Sequence, residues 1–183
     1  MKNIFIIHGS FGHPEENWIP WLKMQCEEEG YTVTVPKFPC GDEQNCDNWM
    51  KVIEPHLSEF NEETIIVGHS IGPAFILGIL EKLHVTIKKS ILVSGFLGLL
   101  ENEEFDAVNE TISDRDFLWG KIGQASKSFS ILHGSDDPYV PVSKAKELGL
   151  LLDTEPIIIQ NGGHLNLDAG FEEFPQLLEE ILR

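Results

Sequence analysis

Three side chains of this sequence can be assembled into a nucleophile with its base: Ser70, Asp137 and His164. Serine is a weak nucleophile at neutral pH and reacts only when a neighbouring base takes its proton. A histidine can take that proton and later return it to a leaving group. A carboxylate behind the imidazole selects its tautomer and stabilises the imidazolium. Ser70 sits in Gly68-His69-Ser70-Ile71-Gly72, which fits the pattern G-x-S-x-G. A serine at such a strand-to-helix corner takes a strained backbone that turns its hydroxyl out of the fold, and glycine on either side removes Cβ atoms that would clash there. The chemistry of this set is acyl transfer, in which negative charge grows on a carbonyl oxygen and needs N–H donors. Ile71, next after the serine, is expected to give one donor. The loop after His8-Gly9 is expected to give the other, with Ser10 the first candidate and Phe11 the second.

Asp136 and Asp137 are adjacent, and either is a possible partner for His164. Two features favour Asp137. It stands three residues after Gly134, and it precedes Pro138, whose ring disfavours the α region at Asp137 and helps set the direction of the loop. Asp136 is then left to cap the turn or face solvent. The remaining histidines read as support. His8 and His133 follow strands and precede glycines, and are expected to pack beneath the site and satisfy backbone groups. His69 flanks the serine and is expected to shape the pocket rather than act as base. His13, Phe11, Trp18, Phe96, Leu97 and Trp119 are the candidates for contact with substrate. No H-E-x-x-H or comparable spacing points to a metal, and neither G-x-G-x-x-G nor G-K-[ST] is present, so no metal and no cofactor are expected.

The elements that must position these groups alternate strand and helix. Strands are expected over residues 4–7, 31–35, 64–67, 88–93, 129–133 and 156–160, where β-branched and apolar residues concentrate. Helical spacing of apolar residues marks 18–29, 46–60, 74–80, 143–150 and 171–182, the fourth capped at or near Ser143 and the last with Leu182 among its sheet-facing residues. Alternation of this kind calls for an α/β fold: about six parallel strands with helices on both faces, three layers α/β/α, in a single domain over 1–183. Residues 101–116 hold seven acidic residues and one arginine and read as a solvated, mobile segment. Residues 114–127 are expected to be helical, with Phe117, Leu118 and Ile122 on one face. These two pieces stand where a small lid would be inserted.

The sequence has 30 acidic and 13 basic residues and a formal net charge of −17. That balance disfavours nucleic acid, anionic lipid and strongly anionic substrates. No run approaches 18 apolar residues, so no membrane span is expected. The apolar part of the first eight residues is too short for a signal peptide, and a cytoplasmic location is expected. Cys26, Cys40 and Cys46 lack metal-ligand spacing and read as reduced thiols.

The chain resembles the YdeN-like family of small α/β-hydrolases, which also contains retinoblastoma-binding protein nine. The resemblance rests on Ile7-His8-Gly9, Trp18-Ile-Pro-Trp-Leu22, Gly68-His-Ser-Ile-Gly72, Val93-Ser-Gly-Phe96, Ser135-Asp-Asp-Pro-Tyr-Val-Pro141 and Gly162-Gly-His164, in order over nearly the whole chain. It implies a compact α/β-hydrolase fold without the first antiparallel strands of larger relatives. It also implies a triad on Ser70, Asp137 and His164, since Asp137-Pro-Tyr-Val-Pro141 fits the family's D-x-x-V-P pattern. The activity expected is that of a serine hydrolase, cleaving small or medium carboxylic esters or related acyl compounds through an acyl-enzyme. The alternative is a non-enzymatic protein-interaction module on a hydrolase scaffold. The chain lacks the L-x-C-x-E string expected for a retinoblastoma-type pocket, so that partner is not carried over, and no other protein partner is implied.

Overall fold

The computed structural model describes residues 2–183. Six parallel strands form one sheet: β1 (Asn3–Ile7), β2 (Thr32–Thr34), β3 (Ile65–His69), β4 (Lys89–Val93), β5 (Phe129–Gly134) and β6 (Ile157–Ile159), in the order β2-β1-β3-β4-β5-β6. Side chains of a strand alternate between its faces. Ile4, Ile6, Ile65, Val67, Ile91, Val93 and Leu132 therefore pack on one side, against α1 (Ile19–Glu28) and α7 (Pro175–Leu182). Phe5, Ile7, Ile66, Leu92 and Ile131 pack on the other, against α2 (Cys46–Ile53), α3 (Gly72–Leu80), α5 (Trp119–Ala125) and α6 (Val142–Leu151). The result is three layers, helix on sheet on helix. Strands covered on both faces must be apolar throughout, and β1 and β3 are buried at every position.

Prolines set several element ends differently from the sequence expectation. The expected helix over 46–60 stops at Ile53 and continues as a 3₁₀ turn, Glu54–Glu59, because Pro55 cannot donate into the α-helical ladder. The last helix begins at Pro175 rather than 171, with Phe174 kept out of the α region before it, and Leu182 at its end is 45% exposed rather than turned to the sheet. Pro141, not Ser143, stands at the N-cap of α6, where no side chain caps the backbone. Leu118 is 55% exposed just before α5, while Ile122 is buried.

The largest correction falls on the acidic segment. Residues 103–113 are not a mobile coil but a helix, α4 (Glu103–Ser113), with Asn109, Ile112 and Ser113 buried. Its charge favours the helix locally. Asn102 caps it, accepting from the N–H groups of Glu104 and Phe105 at 3.2 and 3.3 Å. Glu103, Glu104 and Asp106 lie in its first turn, where negative charge meets the positive end of the helix dipole. The Asp106 carboxylate also accepts from the N–H groups of Leu100 and Asn102, at 2.8 and 3.0 Å.

Candidate active site

The strand order reverses direction between β1 and β3, and loops leaving the carboxyl ends of such neighbours diverge to opposite faces. A cavity of about 300 Å³ opens there, lined by Gly9 to Phe11 after β1, by His69 at the end of β3 and by Ser70 just beyond it. His164, after β6, and Tyr139 and Val140, after β5, complete its rim.

Ser70 has φ of 60°, a left-handed backbone in a residue that is not glycine. Its own N–H still donates to Val93 O at 2.9 Å, so the sheet ladder pins the corner from below. The glycines beside it are required by close approach. A Cβ on Gly68 would lie 2.7 Å from Gly72 C and 2.8 Å from Pro73 N, and one on Gly72 would lie 2.9 Å from Ile7 O. Strand, corner and helix interlock only with hydrogen at both positions.

His164 and Asp137 are paired, with Nδ1 and Oδ2 2.7 Å apart. Oδ1 of the same carboxylate accepts the N–H groups of Tyr139 and Val140, at 2.9 and 3.0 Å. The Asp137 side chain is fully buried. Burial pushes its carboxyl up, but the His164 hydrogen bond and charge and the two backbone donors outweigh it, and the group stays ionised below its ordinary range. With Nδ1–H donated to Asp137, Nε2 of His164 has no hydrogen-bond partner among the described residues. The His164 ring bonds Asp137 and not Asp136, whose Oδ1 instead accepts Gly163 N–H at 2.9 Å and so fixes the residue before the imidazole.

The His164 backbone is held from below as well. Its carbonyl accepts His69 Nε2–H at 2.9 Å and the Ser94 hydroxyl at 3.1 Å. The next carbonyl, of Leu165, accepts Trp18 Nε1–H at 2.9 Å. Burial above all, with repulsion from the neighbouring His164 ring whenever that ring carries a proton, pushes His69 down to about 3, so it remains a neutral donor. His8 and His133 are also buried and lowered, chiefly by loss of water. His8 accepts Phe38 N–H on Nε2 at 3.0 Å and donates Nδ1–H to Gly9 O at 2.8 Å, and His133 donates Nε2–H to Val140 O at 2.9 Å.

Of the expected substrate contacts, Phe11 and Phe96 line the cavity. Trp18 does not: it is fully buried, edge-on to His69 and Phe174, and serves the loop after His164. Leu97 is buried in the core, its carbonyl accepting Lys144 Nζ–H at 2.6 Å. Trp119 packs beside Phe117 at a groove formed with Gly123 and Phe129, apart from the cavity. His13 lies in a neighbouring groove of about 710 Å³ that shares Glu16, Asn17 and Asp168 with the cavity. Sequence reasoning missed Leu100, Phe105 and Tyr139 among the lining residues, and with them the polar Glu16, Asn17, Asn166 and Asp168. A signal for Phe105 was present: Phe105, Asn109 and Ile112 repeat at helical spacing, but the surrounding acidic count hid it. The cavity carries no lysine or arginine. Among the described residues, no group of three or more His, Cys, Asp or Glu is placed to hold a metal ion, and Cys26, Cys40 and Cys46 are free thiols.

The strained Ser70 corner and the His164 imidazole line one cavity, and the buried Asp137 carboxylate is paired to His164 behind it. The family described as "Serine hydrolase" matches residues 4–183. YdeN of Bacillus subtilis is 29% identical over 178 residues, 95% of this chain and 91% of that protein. The serine hydrolase RBBP9 of Rattus norvegicus is 28% identical over 170 residues, covering 90% and 86%. The crystal structure of the Bacillus subtilis ydeN product superposes with a TM-score of 0.91, covering 100% of this chain and 97% of that one at 29% identity. The chain therefore belongs to the serine hydrolase family, in the YdeN- and RBBP9-like branch of the α/β-hydrolase superfamily.

Proposed function

We propose that the protein hydrolyses small or medium neutral carboxylic esters, or related acyl compounds, with Ser70 as nucleophile, His164 as general base and acid, and Asp137 as the carboxylate behind it. The observation that carries this reading is the 2.7 Å His164–Asp137 pair opening onto the same cavity as the strained Ser70. Ser70 Oγ attacks the acyl carbon while His164 Nε2 takes its proton. The tetrahedral adduct collapses as His164 returns that proton to the departing alcohol. Water then attacks the acyl-enzyme, giving its proton to His164, and the acid leaves as Ser70 is reprotonated.

The oxygen of the tetrahedral adduct needs donors that are not already committed. Phe11 N–H donates to Gln44 Oε1 at 3.3 Å, whereas the N–H groups of Ser10 and Ile71 have no acceptor among the described residues. This favours Ser10 with Ile71 as the oxyanion hole and leaves Phe11 as a wall. The cavity volume suits a modest acyl group against Phe96, Leu100 and Phe105, and Glu16 and Asp168 in the same lining disfavour anionic substrates. The test is intact-mass analysis after treatment with a fluorophosphonate, beside turnover on a panel of esters of graded chain length. Wild type should gain one adduct and Ser70→Ala none, with the best turnover on short or medium chains. An equal adduct on Ser70→Ala would remove the nucleophile assignment. Absence of both labelling and turnover would leave the interaction module as the better reading.

A further inference from the structure

We infer that Asn109, on α4, is a positioning residue that holds the loop of residues 9–11 in the shape an oxyanion hole requires, acting through the Ser10 hydroxyl and Gln44. The inference rests on the hydrolase reading given above.

Asn109 is 2% exposed and 4% remains of Gln44, so both amides are shut away from water. Asn109 Oδ1 accepts twice, from Ser10 Oγ at 2.7 Å and from Gln44 Nε2 at 2.8 Å. Gln44 Oε1 in turn accepts Phe11 N–H at 3.3 Å. The orientation of both amides follows from the one donor that cannot turn. Phe11 N–H is fixed in the backbone and needs an oxygen, so Gln44 presents Oε1 to it and Nε2 to Asn109. Asn109 must then present its oxygen, and its Nδ2 is left buried with no partner. An unpaired buried amide N–H destabilises a fold, and a residue that keeps one calls for a reason.

The reason is the loop. Phe11 has φ of 56°, a conformation that a non-glycine residue keeps only when its surroundings hold it. The three residues bridged to one another come from parts of the chain far apart in sequence: the loop after β1, the segment before α2, and α4. One turn earlier on α4, Phe105 lines the cavity and meets the Phe11 ring at 6.0 Å. Residues four apart lie on one helix face. The same face of α4 thus walls the acyl space and ties down the loop whose N–H faces the reacting oxygen. A donor misplaced by a fraction of an ångström loses most of its value in the transition state and little in ground-state binding, so the tether should act on kcat.

The experiment compares wild type, Asn109→Leu, Ser10→Ala and the double variant on one ester, measuring kcat, KM, the rate of phosphonylation of Ser70, and Tm. Each single variant should lose about 10-fold in kcat and in phosphonylation rate, less than the roughly 10²–10³ that follows outright loss of an oxyanion donor. KM should stay within about twofold, the sign of a contact used only in the transition state. The double variant should be no slower than the slower single, because both changes cut one link. Wild-type kcat in Ser10→Ala overturns the inference, whether or not Asn109→Leu folds, and so do single losses that multiply in the double variant. A fall in Tm for Asn109→Leu with unchanged kcat likewise reduces Asn109 to a structural role. A wild type that is neither labelled nor active would instead be failure of the hydrolase reading.

Discussion

Asp137 and Asp136 are chemically identical and adjacent, and the fold gives them different work. Asp137 is buried with both oxygens occupied, one by His164 Nδ1–H and the other by the Tyr139 and Val140 N–H groups. Asp136 is exposed and accepts a single N–H, from Gly163. On the proposed mechanism, Asp137→Asn leaves the loop able to form but deprives His164 of its tautomer selection and its counter-charge. A loss of roughly 10⁴ in kcat is expected, as in serine proteases carrying the same substitution. Asp136→Asn keeps an amide oxygen for Gly163 and should cost little, while Asp136→Ala frees the residue before His164 and should fall between. Acylation rates at one pH, with circular dichroism to check folding, separate the three; a large loss in Asp136→Asn beside normal Asp137→Asn reverses the assignment. Pro138 and the spacing from Gly134 made Asp137 legible in the sequence. The Gly163 tie was not, because its two ends are 27 residues apart and meet only where β5 and β6 pair.

At the scale of elements, α4 decides the shape of the cavity, and its stability depends on its first turn. It contacts the rest of the molecule through few buried residues, so its cap carries weight beyond its size. Asn102→Ala removes the side-chain acceptor of the Glu104 and Phe105 N–H groups and should cost about 1 kcal/mol. Confined to α4, that is about fivefold faster local opening, readable as amide hydrogen exchange in residues 103–113 with the central strands unchanged. Uniform acceleration across the sheet, or none, would show that α4 is not a separately opening unit. This element was illegible in the sequence because acidic residues serve two ends: spread out they favour coil, but gathered after a capping Asn they complement the helix dipole.

For the whole molecule, pH is the lever that reaches the buried histidines together. His8, His69 and His133 are held neutral in the fold, each with its affinity for a proton lowered and His69 down to about 3. Unfolded, each titrates near 6.5. Below that pH the unfolded chain binds more protons, so stability is complete above about 6.5 and is lost as pH falls through the window between 6.5 and the folded values. His69 alone gives a limiting slope of about 1.4 kcal/mol per pH unit, and His8 and His133 add to it in the same direction. Asp137 adds to the loss at lower pH, since its stabilisation disappears as its carboxyl is finally protonated. The net charge of −17 works the other way, because protonating carboxylates towards the pI near 4.6 relieves repulsion. Urea unfolding between pH 7 and 5.5 isolates the histidine contribution; a flat free energy across that range would contradict the burial of these rings as neutral species.

What the sequence determined by itself is whatever is encoded within a few residues: the period-two apolar strands, the proline and glycine punctuation, the serine corner, and the placing of Ser70, Asp137 and His164 each just beyond a strand, β3, β5 and β6. These are local because backbone sterics and side-chain periodicity act over one or two turns of chain. Tertiary structure alone decided which aromatic residues meet the cavity. Trp18 and Phe11 look equally suited in the sequence, but Trp18 fills the space between α1 and α7 and donates to Leu165, while Phe11 is turned out by a left-handed backbone. The Ser10–Asn109–Gln44 bridge was equally hidden, because it joins three segments that approach only when α4 closes over the carboxyl end of β1. Whether a large side chain becomes core or wall depends on which neighbours arrive around it, and those neighbours are set by strand order rather than by spacing along the chain.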